Sequence, residues 1–205
     1  MAGEKLQTQA QQQQAKAGSR KIVDKWKRKK WFTIFASRIF EKKQLADTPA
    51  EKPKNLEGRT LKVTLDTLTG QRMKRDVILS FRVFDIQGQN AYTKVSGFEM
   101  NHSSMGRIVR RRSSKVALIE EIPVKGGKAR ITIVALTARK AVKKQETGIR
   151  KIISDELAKY RDVDFEDVVR DLLFGEFSDS IFKKAKKICL LKKVIPVKAK
   201  FSETK

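Results

Sequence analysis

Lys25, Lys27, Arg28, Lys29 and Lys30 fill the interval from just before Trp26 to Trp31, a close interleaving of cations with flat aromatic rings. Such cations bind nucleic-acid phosphates with release of condensed counterions, and the rings can stack on unpaired bases. A second cluster, Arg110, Arg111 and Arg112, lies between Arg107 and Lys115, and the nearest downstream acids are Glu120 and Glu121. Three adjacent guanidiniums are therefore left without local neutralisation, and guanidinium forms paired bonds to phosphate oxygens that ammonium cannot. Arg139, Lys140, Lys143 and Lys144 make a third cluster, and Arg150 completes the candidate RNA-binding set. Trp31 adjoins the apolar run Phe32–Ala36, so its ring is expected in the core; Trp26 fits either a stacking or a core position.

Catalytic chemistry has far less to work with. His102 is the single histidine and Cys189 the single cysteine, so neither a nucleophile–histidine pair nor a Cys/His zinc site can be built. The chain has no phosphate-binding loop of the GxxxxGK[ST] kind and no GxGxxG. Gly126 and Gly127, flanked by Lys125 and Lys128, read as a tight primed hairpin turn. Asp66, Asp85, Glu99, Glu120 and Glu121 would support a metal-dependent nuclease only if the fold brought them together. Acids at such positions more commonly end strands beside a Lys or Arg. The sequence therefore points to a non-enzyme without metal or other cofactor.

The bulk charge agrees with a polyanionic partner. The 205 residues carry 47 Lys plus Arg against 23 Asp plus Glu, a formal net charge of +24. A compact chain with that imbalance repels itself unless an oppositely charged partner compensates. The sign reverses between Ser154 and Asp179, where nine acids face three bases, a net of −6 that leaves +30 on the remainder. That stretch suggests a surface turned from the polyanion or toward a basic protein, unless its acids simply cap helix N-termini. One cysteine suits a reducing compartment, and no run of about 18 apolar residues or secretory leader is present. A soluble, intracellular protein is expected.

Periodicity supplies the elements. Residues 1–20 are a low-complexity Gln-rich stretch expected to form a disordered tail. Residues 21–142 form a basic β-rich core. A strand is expected over Phe32–Ala36, and 41–58 read as a long loop with Pro49, Pro53 and Gly58. Leu61, Val63 and Leu65 alternate with polar residues; Val77, Leu79, Phe81 and Val83 mark one face of a long strand that returns as Ala91–Val95. Met105–Val109 reads as a short helix, and residues 115–124 and 128–137 pair as a hairpin. Five or six antiparallel strands of this kind suggest a barrel or strongly twisted sheet. Residues 143–205 form a helical region with a final strand and basic tail. Ile149, Ile152, Ile153, Leu157 and Tyr160 share one helical stripe. A second helix carries Phe165, Val168, Val169, Leu172 and Leu173 between Asp164 and Gly175. A third buries Ile181, Phe182, Ala185, Ile188 and Cys189, and a short strand spans Lys193–Val197. The expected class is α+β: an antiparallel β-barrel-like core, then helices and a short final strand.

The motifs fall in a recognisable order: Val23-Asp24-Lys25-Trp26-Lys27, Lys30-Trp31-Phe32, Gly58-Arg59, Asp66-Thr67-Leu68-Thr69-Gly70, Phe81 to Gly88, Ala91-Tyr92-Thr93, Val109 to Lys115, and Ile149-Arg150-Lys151-Ile152. From about Lys21 to Lys198 the chain resembles the small-subunit ribosomal protein family eS-one, formerly S-three-a, of archaea and eukaryotes. The resemblance is to the shorter, archaeal branch. It implies a structural, rRNA-binding role in the cytoplasm, on the small-subunit platform near the messenger exit, beside other small-subunit proteins. Messenger RNA near the exit is left open as a further partner; a membrane or a second copy of the chain is not expected. Two features depart from the family pattern: the Gln-rich start, and Ile188-Cys189-Leu190-Leu191 where relatives usually carry Tyr-Pro. Charge and aromatic patterning alone would also fit a free-standing RNA-binding protein or RNA chaperone.

Overall fold

The computed structural model describes residues 25–71, 75–174 and 177–203, so the Gln-rich stretch 1–20 and Gly175 lie outside the described residues. Eight strands are described: β1 (Lys30–Phe35), β2 (Gln44–Ala50), β3 (Thr60–Thr64), β4 (Val77–Gln87), β5 (Asn90–Met100), β6 (Lys115–Val124), β7 (Gly127–Thr137) and β8 (Leu191–Glu203). Five helices accompany them: α1 (Leu65–Thr69), α2 (His102–Ile108), α3 (Lys143–Leu157), α4 (Phe165–Phe174) and α5 (Phe177–Ala185). The α+β class holds, with the helical region and final strand where expected.

All strands join one sheet, ordered β2-β1-β5-β8-β7-β6, with β3 and β4 branching from β5. Along this path β6 does not pair back to close a ring, so the core is barrel-like only loosely. The β1–β5 pairing is parallel; the others are antiparallel. Part of the expected 41–58 loop is strand β2, which pairs with β1 and places Pro49 opposite Trp31. As an edge strand it tolerates Pro and a polar sequence, the two features that hide it from pattern reading. The final strand is also longer than Lys193–Val197, because a bulge between its pairs Lys198↔Thr132 and Pro196↔Ile133 carries the ladder past Pro196.

Turn chemistry follows the glycines. Gly88 holds φ 64° at the first central position between Gln87 and Asn90, as a II′ hairpin turn needs. The β6–β7 turn departs from expectation: Val124 pairs with Gly127, and of the two loop residues Gly126 has positive φ (83°) whereas Lys125 does not. It is not a primed turn of the I′ kind.

β5 is the junction of the sheet. β4 covers one edge over its whole length, so β1 at Asn90–Tyr92 and β8 at Gly97–Glu99 share the other. In the gap between them, the Glu166 carboxylate at the start of α4 accepts from the Val95 N–H (3.2 Å) and the Ser37 hydroxyl (2.6 Å). A side-chain carboxylate thus satisfies a backbone donor that the ladder leaves over. The core packs Leu79, Phe81, Val95 and Phe98 against Ile131 and Ile133 and against Ile149, Ile153 and Leu157 of α3, with Val168 and Ile181 from α4 and α5. Ile188 lies beyond the end of α5 and is exposed rather than buried, since the helix stops at Ala185.

Glu156 is 4% exposed, and both carboxylate oxygens are used: Lys159 donates to one (2.8 Å) and Lys184 of α5 to the other. Chiefly through the Lys159 bond, then the Lys184 bond, its carboxyl is held below the ordinary glutamate range. A depressed carboxyl stabilises the fold fully above its unfolded pKa, and that contribution is lost as pH falls through the folded value.

Gly97 sits so close to the Ala199 carbonyl that an added Cβ would overlap backbone, so Gly97→Ala should cost about 1–3 kcal/mol in denaturant unfolding. Gly106→Ala, with open space around it on α2, should not destabilise. Glu156→Gln should cost about 1 kcal/mol at neutral pH, the exposed lysines keeping the loss small. The wild-type advantage should shrink on acidification below about pH 4.3; an advantage unchanged at low pH would refute the assignment.

Candidate nucleic-acid interface

Register shows which of the basic clusters meet. β7 ends at Thr137, whose neighbour across the β8 ladder is Leu191, and β6 begins at Lys115 opposite Leu136. The segment Arg110–Arg112 enters this end from α2, and Arg139–Lys144 leaves it toward α3. The second and third clusters are therefore gathered at one end of the β6–β7–β8 sheet. Arg110, Arg111, Arg112, Lys115, Arg139, Lys140, Lys143 and Lys144 are all exposed there.

A buried hydroxyl clasps the two segments. Thr137 is fully buried; its Oγ1 accepts from the Ser114 N–H (2.8 Å) and donates to the Arg139 carbonyl (2.6 Å). The Ala141 N–H in turn donates to Ser114 Oγ (3.0 Å), and the Ser113 hydroxyl to the Arg110 carbonyl (2.6 Å). Arg112 takes φ 66°, turning the chain sharply between α2 and β6. The basic side chains are thus mounted on a fixed backbone rather than on free loops.

The remaining candidates are placed differently. Trp26 and Lys27–Lys29 precede β1 and Lys30 opens it; β1 enters alongside the first residues of β5, whereas the Arg110 cluster follows α2 beyond its last. The eleven residues of β5 separate them by roughly 35 Å along the ladder at about 3.3 Å each. Lys29 Nζ lies 4.6 Å from the Trp26 ring centroid, and Arg28 pairs with Glu51 at 3.5 Å. Both tryptophans are exposed, Trp26 by 58% and Trp31 by 61%. The core position expected for Trp31 is overturned by the strand alternation: Phe32 and Ile34 turn inward, so Trp31 turns outward. Arg107 is engaged with Asp76 (3.4 Å) and Ser104 (3.0 Å). Arg150 reaches the Ala117 carbonyl (3.4 Å) and Glu146 (3.5 Å), docking α3 on β6.

Pattern reading missed two members of the cation-rich end, Lys192 and Lys193. Both are exposed at the start of β8, opposite the close of β7. Two adjacent lysines opening an apolar strand were the available signal.

The carboxylates do not converge. Asp66 accepts from the Thr67 N–H, Asp85 from the Ile86 N–H and Gln87, Glu99 from Lys198, and Glu120 from Ser154, while Glu121 lies near Arg130. The Asp66 and Glu99 carboxyls are held below their ordinary ranges, chiefly by the Thr64 and Lys198 side chains respectively. Among the described residues no three His, Cys, Asp or Glu groups form a metal-binding cluster. Of the five, only Glu99 and Glu121 lie beside a Lys or Arg as expected; Asp66, Asp85 and Glu120 take uncharged donors instead, and the five do not gather as a nuclease site would need. Nor is any described helix long and apolar enough to cross a membrane.

A basic α+β protein, with several acids tied into the fold and a group of its cations gathered at a rigid sheet end, has the build of a polyanion-binding protein. Residues 17–205 match the model of the Ribosomal S3Ae family. Relatives include the small ribosomal subunit protein eS1 of Sulfurisphaera tokodaii, 39% identical over 181 residues, 87% of this chain and 94% of that protein. The protein of the same name from Saccharolobus islandicus is 35% identical, over 87% of this chain and 86% of its own length. The chain belongs to the ribosomal S3Ae family.

Thr137→Val, which keeps shape but removes the hydroxyl, should leave the Ser114 N–H and Arg139 carbonyl unmatched. A loss of about 1–3 kcal/mol in thermal or denaturant unfolding is expected, with faster amide exchange at Ser114. Unchanged protection of that amide would show that the clasp does not hold the two segments.

Proposed function

We propose that the chain is a structural constituent of the small ribosomal subunit in the cytoplasm, binding rRNA through Lys and Arg contacts to phosphate and supporting translation without catalysing a reaction. The observation that carries this reading is the convergence of Arg110–Arg112, Lys115, Arg139, Lys140, Lys143 and Lys144 at one sheet end. The names of its relatives support the particle. The Lys25–Lys30 stretch, with Trp26, makes a second contact region. Arg107 and Arg150, partly engaged inside the protein, have least to offer. Placement on the platform near the messenger exit, among other small-subunit proteins, follows from the family resemblance.

The division at 142/143 is retained as one between a β-rich body and a helical region, and the second part also lends Lys143, Lys144, Lys192 and Lys193 to the cation-rich end. The basic core presents cations to rRNA, and the acidic stretch of the helical region faces solvent or a basic neighbour. Glu156 and Glu166 are withdrawn from that face, since both hold the fold together.

Replacing Arg110, Arg111 and Arg112 with Ala should weaken rRNA binding and flatten its salt dependence by roughly one unit of slope per lost phosphate contact. An unchanged slope would move the interface elsewhere. Sedimentation decides the particle: the protein should travel with small subunits through moderate salt, and recovery only in free fractions would favour a free-standing RNA-binding protein.

A further inference from the structure

We propose that the outer face of β1, β5 and β4 is a stacking platform for unpaired bases of single-stranded RNA, separate from the cation-rich end described above. It rests on the RNA-binding reading only for the class of partner. Strand alternation puts Trp31 and Phe35 on the face opposite the buried Phe32 and Ile34. The parallel β1–β5 register sets Phe35 beside Tyr92, and the two rings stack with centroids 5.9 Å apart. Across β5, the irregularity between Val83 and Asp85 leaves Phe84 without an opposite residue, and its ring is 52% exposed. A row of four aromatics therefore crosses three strands.

Two ammonium groups attend this row. Lys42 Nζ lies 5.8 Å from the Tyr92 centroid and Lys94 Nζ 4.4 Å from that of Phe84. The nearby acids are already committed: Asp85 accepts from the Ile86 N–H (2.8 Å) and Gln87 (3.1 Å), and Asp47 from Gln44 (3.3 Å). A recess of about 310 Å³, lined in part by Phe84, Tyr92, Lys42 and Lys94, adjoins the row and has room for a nucleoside. Trp31 and Phe35 are four strand residues apart, about 13 Å. Rings strung out in this way, with ammonium groups at two of them, fit successive bases and phosphates of an extended strand. A protein anchor would call for one contiguous apolar patch.

The chain holds two tryptophans, so Trp26→Phe leaves Trp31 as its single emitter and a direct reporter of the platform. In that full-length variant, oligouridylate should quench Trp31 emission, and a fully paired RNA duplex should bind without doing so. Adding Phe84→Ala, a surface change with little cost to folding, should weaken oligouridylate binding at least about fivefold and leave duplex affinity unaltered. Oligouridylate binding with neither quenching nor an effect of Phe84→Ala would overturn the platform while sparing the phosphate contacts. Absence of salt-dependent binding to either RNA would overturn the RNA-binding reading itself. A Trp31 response to small-subunit proteins but not to oligouridylate would assign the face to a protein partner and also overturn the proposal.

Discussion

The sheet depends on three residue pairs, Gly97↔Lys200, Phe98↔Ala199 and Glu99↔Lys198, through which β8 joins β5. The β6–β7 hairpin reaches the rest of the ladder by way of β8. The junction therefore unites two half-sheets, one carrying the tryptophan-flanked lysines and the other the gathered arginines. Its tightness explains the glycine: Gly97 lets the backbones approach where any Cβ would strike the Ala199 carbonyl. The Glu99–Lys198 ion pair (3.1 Å) adds a charged tie at the same rung.

Charge is distributed by the same economy. The acids are few, and several hold the fold together: Glu166 on a leftover backbone donor, Glu156 on Lys159 and Lys184, Asp76 on Ser104 and Arg107. Others sit in exposed ion pairs, as Glu51 with Arg28 and Glu121 with Arg130, yet 47 bases against 23 acids leave most outer cations uncompensated.

Much of the fold was legible. β4, β5 and the β6–β7 hairpin carry clean alternation bounded by glycine turns, and α3–α5 carry apolar stripes, so local pattern and tertiary burial agree. β2 was not legible, since Gln44–Ala50 is polar, contains Pro49 and owes its strand character to β1. Trp31 was misplaced because hydrophobicity alone puts it inside, whereas the alternation of Phe32 and Ile34 puts it outside. The basic clusters were readable as residues but not as a group: only the register of β6, β7 and β8 reveals that Arg110–Arg112 and Arg139–Lys144 share one end, and that Lys192 and Lys193 join them. The five acids were readable too: Asp66 and Asp85 take partners next to them in sequence, whereas the partners of Glu99 and Glu120, Lys198 and Ser154, are brought in only by the fold.

The position of β8 also governs how the molecule can be made. A chain emerging from its N-terminus completes β1–β7 while one edge of β7 and the far half of one edge of β5 still lack their partner. Those open edges can pair with foreign strands until Leu191–Glu203 arrives. The joining contacts span about half the chain, which slows closure relative to a fold built from neighbours. Assembly of this protein is therefore gated by its final strand: neither half-sheet is held in its mature relation to the other until the last rungs form.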